Sequence, residues 1–188
     1  MALRRGFKAE AERRVTTIWD QVGADLAYPI DLDAVAATLG ARIVMANTLV
    51  PEAQLRQLEE VQAYAFSACT FDVRDQSVIV LNSLRSPGRQ RADAAHELSH
   101  LVLRHQMRVP QKIGAYTFFT GNAEQEEEAN WLAGSLLLPR QAVVRAAHVG
   151  MDAEALAAHY TTTLEMARFR LNATGAALQA RRRNQAAP

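Results

Sequence analysis

Residues 96–100 read His-Glu-Leu-Ser-His, and few backbones make chemical sense of that spacing. On a helix, positions four apart share a face, one turn from each other. His96 and His100 therefore aim their rings at one spot, and a zinc-type cation binds imidazole nitrogens that converge in this way. Glu97 stands beside the first histidine. It can reach a water on such a cation and serve as its general base. With five histidines and twelve glutamates among 188 residues, chance supplies only about 0.01 such matches. The plain alternative is a helix that carries two surface histidines.

Two histidines do not complete a catalytic site, which needs a third protein ligand and a water. A metzincin would have Gly at 103 and His at 106, but the chain has Leu103 and Gln106. His105, five residues past His100, points about 140° away on a continuing helix. It suits the final helix carbonyls or a substrate contact better than a metal. The acidic candidates lie in Glu124 to Gly134. Glu126, Ala129, Asn130, Ala133 and Leu137 form one helical stripe whose small residues permit close helix approach. Asn130, one turn after Glu126, is placed to hydrogen-bond a ligand histidine. Glu127 and Glu128 share faces with Trp131 and Leu132, and periodicity alone does not exclude them.

The rest of the chain predicts helices over 7–22, 32–39, 51–62, 89–104, 123–138, 152–160 and 163–173, from apolar spacing and from caps such as Asp31 and Asn122. Strands are expected at 42–46, 64–71 and 77–81, the last two as a hairpin. Residues 104–121 read as an irregular stretch with Tyr116, Phe118 and Phe119, of the kind that shapes a cleft. Tyr116 is an oxyanion-donor candidate beside His105, although packing against Phe118 and Phe119 explains it more simply. A net charge of +1 implies no bulk attraction to nucleic acid or membrane. The last two helices resemble a helix-turn-helix, with Arg168 and Arg170 on the second. No dense basic face accompanies them, so a structural pair is the expectation. Cys69 is the only cysteine, which suits a reducing cytoplasm. No apolar run reaches the length of a membrane span, and no apolar leader follows the N-terminal arginines. The expectation is a cytoplasmic α+β protein. Residues 1–150 would form the site-bearing domain and 151–188 a helical extension ending in the basic run Arg181 to Arg183.

Taken together, Arg89-Gln90-Arg91, Ala95-His96-Glu97-Leu98-Ser99-His100-Leu101, Glu126-Glu127-Glu128-Ala129-Asn130 and Leu136-Leu137-Leu138-Pro139 resemble the ImmA/IrrE family of metallopeptidases. The opening Gly6 to Glu12 is similar to the start of some small bacterial members. The resemblance implies a small gluzincin-like fold, with a short, mostly antiparallel sheet packed on the HExxH helix and a glutamate helix. It implies the metal ligands His96, His100 and Glu126, and Glu97 as the catalytic base. Ser99 stands where many relatives have Gly, on the side away from the metal. The family's members cleave helix-turn-helix repressors and so release mobile-element or stress genes. Some larger members carry a C-terminal sensor domain, which a chain of this length leaves no room for. The metal is expected to be zinc, although a His₂Glu set also accepts manganese or another divalent ion. The rival reading is a non-catalytic, metal-containing regulator that binds a repressor or DNA. The intact Glu97 argues against it, because a structural site needs no general base.

Overall fold

The computed structural model describes residues 3–61, 66–74, 76–105, 122–176 and 178 in full, and residues 109–113 and 116–120 as backbone. The fold is α+β. Helix α1 (Phe7–Gln21) buries Phe7, Ala11, Val15, Ile18 and Trp19 on one face. Asp31 caps α2 (Leu32–Thr38) through the amides of Asp33 and Ala34. Gly40, at φ 68°, ends that helix in the left-handed region and turns the chain into β1 (Ala41–Met45). A single 3₁₀ turn (Ala46–Thr48) leads to α3 (Glu52–Val61).

Strands β2 (Ala68–Val73) and β3 (Gln76–Leu81) form the expected hairpin, with Val73 opposite Gln76. β1 pairs with β3 in parallel, so the sheet order is β1-β3-β2 and β2 is an edge. Side chains alternate across this sheet. Ile43, Met45, Ala68, Ile79 and Leu81 join the main core. Val44, Cys69, Val78 and Val80 join a smaller cluster with Leu55 of α3.

The motif helix α4 spans Pro87–Leu103, two residues earlier than the expected start at 89. Ser86 caps it and Pro87 opens it, a position where a missing N–H costs nothing. The Gln90 amide donates to the carbonyl of Arg85 at 2.9 Å, and Arg91 reaches the Ile30 carbonyl at 2.8 Å, tying α4 to its neighbours.

Two expectations need correcting. Within the stretch read as irregular, β4 (Val109–Ile113) and β5 (Tyr116–Thr120) pair antiparallel. Alternating apolar residues on either side of Gly114 are a hairpin pattern in the sequence that Pro110 masks. Second, α5 (Ala123–Leu137) is followed at once by α6 (Arg140–His148). Pro139 ends one helix and also occupies the N-cap of the next. Ala142, Val143, Ala146 and Ala147 then make the buried face of α6.

Helices α7 (Ala153–His159) and α8 (Leu164–Thr174) contribute Leu156, Ala157, Tyr160, Ala167 and Leu171 to the same core as α1 and α4. Packing therefore continues across residue 150. The basic run Arg181 to Arg183 lies outside the described residues.

Two glycines permit close approaches. A Cβ on Gly134 would lie 3.0–3.1 Å from Met166, Phe169 and Arg170, so α8 seats directly on α5 there. A Cβ on Gly88 would meet the Thr162 carbonyl oxygen at 2.7 Å. Gly88→Ala gains up to about 1 kcal/mol of helix propensity. The clash is with backbone that cannot step aside, however, and we expect a net loss of about 1–2 kcal/mol, measured by denaturant unfolding. An unchanged or raised midpoint would show that the α7–α8 turn gives way freely.

Candidate metal centre

Helix α4 places His96 and His100 one turn apart, and α5 packs against it so that Glu126, in the first turn of α5, faces both rings. Ala95, Ala129 and Ala133 are buried where these helices meet, and their small side chains let the axes approach. His96 Nε2 lies 3.1 Å from His100 Nε2. Glu126 Oε2 is 3.3 Å from His96 Nε2, and its Oε1 is 3.8 Å from His100 Nε2. These three residues form the group able to hold a metal ion among the described residues. Tetrahedral ligands at bonds of about 2.0–2.1 Å stand about 3.3 Å apart. Two neutral imidazoles and one carboxylate at this spacing fit a zinc-type cation.

Glu97 leaves this triangle on the sheet side. Its Oε2 accepts a 2.6 Å hydrogen bond from Thr70 Oγ1 on edge strand β2. The bond fixes one carboxylate oxygen and leaves the other able to take a proton. Thr70 was not legible from the sequence. It reaches α4 only because β2 pairs with β3 in the register that sets Thr70 opposite Ile79. The neighbouring Cys69 thiol is pushed up to about 11 by burial and by the Glu97 carboxylate, so it stays protonated at neutral pH.

The other candidate residues fall as follows. Asn130 is solvent-exposed, and no hydrogen bond from it to His96 or His100 occurs among the described residues. Tyr116 opens β5 opposite Ile113, and its side chain lies outside the described residues. His105 departs from its expected direction. The helix ends at Leu103, Arg104 turns left-handed at φ 54°, and the His105 amide folds back onto the His100 carbonyl at 3.0 Å. The His105 ring therefore lies against His100, with Nδ1 3.0 Å from His100 Nδ1. Its side chain is only 5% exposed, which suits a buried partner rather than an oxyanion donor. Ser99 is buried on the far side of α4, its hydroxyl donating to the Ala95 carbonyl at 2.7 Å.

The profile of the Peptidase M78 family, described as the IrrE N-terminal-like domain, matches residues 67–172. The chain belongs to this family. The matched span runs from the foot of β2 into the last turn of α8, so it takes in Thr70, the α4–α5 pair and most of the C-terminal helices. An M78 fold of this shape is similar to a solved Mycobacterium tuberculosis transcriptional regulator, with a TM-score of 0.55 at 16% identity. That likeness covers 90% of this chain and 47% of the regulator, so the chain spans about half of that protein's length. No curated protein matches the sequence. No helix among the described residues is long and apolar enough to cross a membrane.

Proposed function

We propose that this M78 chain is a zinc-dependent endopeptidase that cleaves a helix-turn-helix repressor. The observation that carries the reading is the convergence of His96, His100 and Glu126, with Glu97 held beside them by Thr70. A divalent cation bound there would lower the pKa of a water toward about 7 and polarise a peptide carbonyl. With a cation held there, Glu97 would take the proton from such a water and deliver it to the departing amide nitrogen. Thr70 keeps the Glu97 carboxylate from rotating away between the two transfers. Among the described residues β2 is the edge strand of its sheet, next to Glu97, a place where an extended peptide can align itself by backbone pairing. The repressor as substrate follows from the family resemblance. The lone Cys69 suits a reducing cytoplasm, where such a substrate acts.

The rival role, a regulator that reads DNA through its last two helices, loses support from the fate of their cations. Arg170 is fully buried and bonded to the Leu138 carbonyl and to Glu12. Arg168 pairs with Glu154 at 3.1 Å. Neither presents a free guanidinium to a phosphate.

The test incubates the zinc-loaded chain with the helix-turn-helix repressor encoded nearest its gene and follows the products by mass spectrometry. We expect cleavage at one position, stopped by a chelator and restored by zinc. Glu126→Ala should weaken zinc binding by more than about 100-fold, beyond the loss typical of a ligand's supporting partner, while Glu127→Ala retains zinc. An intact repressor would remove the substrate assignment. Equal zinc content in the two variants would remove Glu126 from the ligand set.

A further inference from the structure

We infer that His105 and Glu128 are positioning residues that hold the ligand histidine His100 in its metal-binding orientation and tautomer. The inference rests on the metal-centre reading above and extends it to residues outside the ligand triangle.

A neutral imidazole carries one proton and one lone pair on its two nitrogens. In His100 the Nε2 atom faces His96 and Glu126. To bind a cation it must present its lone pair there, so the proton sits on Nδ1. That nitrogen lies 3.0 Å from His105 Nδ1, which must then accept. The proton of His105 is left on Nε2, which faces Glu128 Oε2 at 3.4 Å. Glu128 in turn is held by Arg4, whose Nε donates to Oε1 at 3.0 Å, while Arg4 Nη2 also pairs with Glu10. One condition, a lone pair on His100 Nε2, thus fixes every proton back to a carboxylate. Ligand histidines ordinarily donate their second nitrogen to an oxygen acceptor. Here a second histidine stands between ligand and carboxylate.

The backbone is shaped to this end. On a continued helix the His105 ring would leave the site. The left-handed Arg104 brings it back under His100, at a conformation that costs a side-chain-bearing residue free energy. The two rings meet edge to face, with centroids 5.0 Å apart. The side chains of His105 and Glu128 are 5% and 13% exposed, so water competes little for these bonds. Two of the three consecutive glutamates also acquire separate identities. Glu126 faces the triangle and Glu128 faces its support.

The experiment measures zinc affinity by chelator competition and the visible spectrum of the cobalt-substituted protein, for His105→Leu, His105→Asn and Glu128→Ala. The thermal midpoint of each metal-free protein is recorded alongside. His105→Leu should weaken zinc binding about 10–100-fold and shift the cobalt bands. In His105→Asn the side-chain oxygen can stand near the former Nδ1 and accept from His100, so most of the affinity should return. Glu128→Ala should weaken zinc binding by several-fold. Wild-type affinity and an unchanged cobalt spectrum in His105→Leu would overturn the inference. So would equal losses in the Leu and Asn variants that parallel a fall in metal-free stability, which is the signature of packing alone. If His105→Leu does not fold, unchanged zinc affinity in Glu128→Ala overturns it. A wild-type chain that binds no zinc refutes the metal-centre reading as well, whereas zinc binding that none of these variants alters refutes only the support role.

Discussion

Glu97→Gln should keep its zinc and lose peptide cleavage by about 10²–10⁴-fold, the span typical of a general acid–base group. Glutamine has the shape of glutamate, and its carbonyl oxygen can still accept from Thr70 Oγ1, so the local packing is preserved. It cannot take a proton from water at neutral pH. Glu97 is also absent from the converging donor set of His96, His100 and Glu126, so metal content should not follow activity down. Two measurements decide the matter, zinc per chain and turnover of a repressor-derived peptide. Retained cleavage would exclude Glu97 as the base. A parallel loss of zinc would make it a ligand instead and would reassign the water-activating role.

What the sequence shows of the site is the part whose geometry is local. His96 and His100 share a helix, and a four-residue spacing needs no tertiary information. Periodicity leaves Glu126 open against Glu127 and Glu128, and the family resemblance singles it out; the structure sets its carboxylate 3.3 Å from His96 Nε2. Thr70 and Glu128 do different work and were hidden for different reasons. Thr70 depends on strand register, which is fixed by pairing with residues nine positions away. Glu128 depends on His105, and His105 depends on a left-handed turn at Arg104, a residue type that gives no warning of that conformation. Pro139 is ambiguous for a simpler reason. A proline is read first as a stop, although its fixed φ equally suits the start of α6. The sequence places Arg170 on the second helix of a structural pair and says nothing of its depth. Its actual burial is set by Gly134, which lets α8 sink onto α5, and no pattern within α8 itself carries that information.

That buried arginine gives the second large expected effect. Glu12→Ala should destabilise the protein by about 3 kcal/mol. Arg170 is 0% exposed, donates from Nε to the Leu138 carbonyl at 2.8 Å and pairs through Nη2 with Glu12 Oε1 at 2.5 Å. Burial drives the guanidinium pKa down, and the Glu12 carboxylate works against that shift. Removing Glu12 leaves a desolvated cation without its counter-ion, a change that costs about 3–5 kcal/mol in buried pairs. The low end applies because the Glu12 side chain is 27% exposed, so water can partly take its place. Glu12 also accepts from the Arg140 amide at 3.2 Å and the Ser135 hydroxyl at 3.4 Å, so one carboxylate on α1 joins α5, α6 and α8. The thermal midpoint should fall by roughly 10 °C for a domain of this size. Arg170→Met, which removes the charge together with its need for a partner, should cost less, and the double variant should recover part of the loss from Glu12→Ala. A single Glu12→Ala that unfolds within about 1 kcal/mol of the parent, or a double variant no better than the sum of its parts, would mean that Arg170 finds other acceptors and that this ion pair does not clamp α8 to α1.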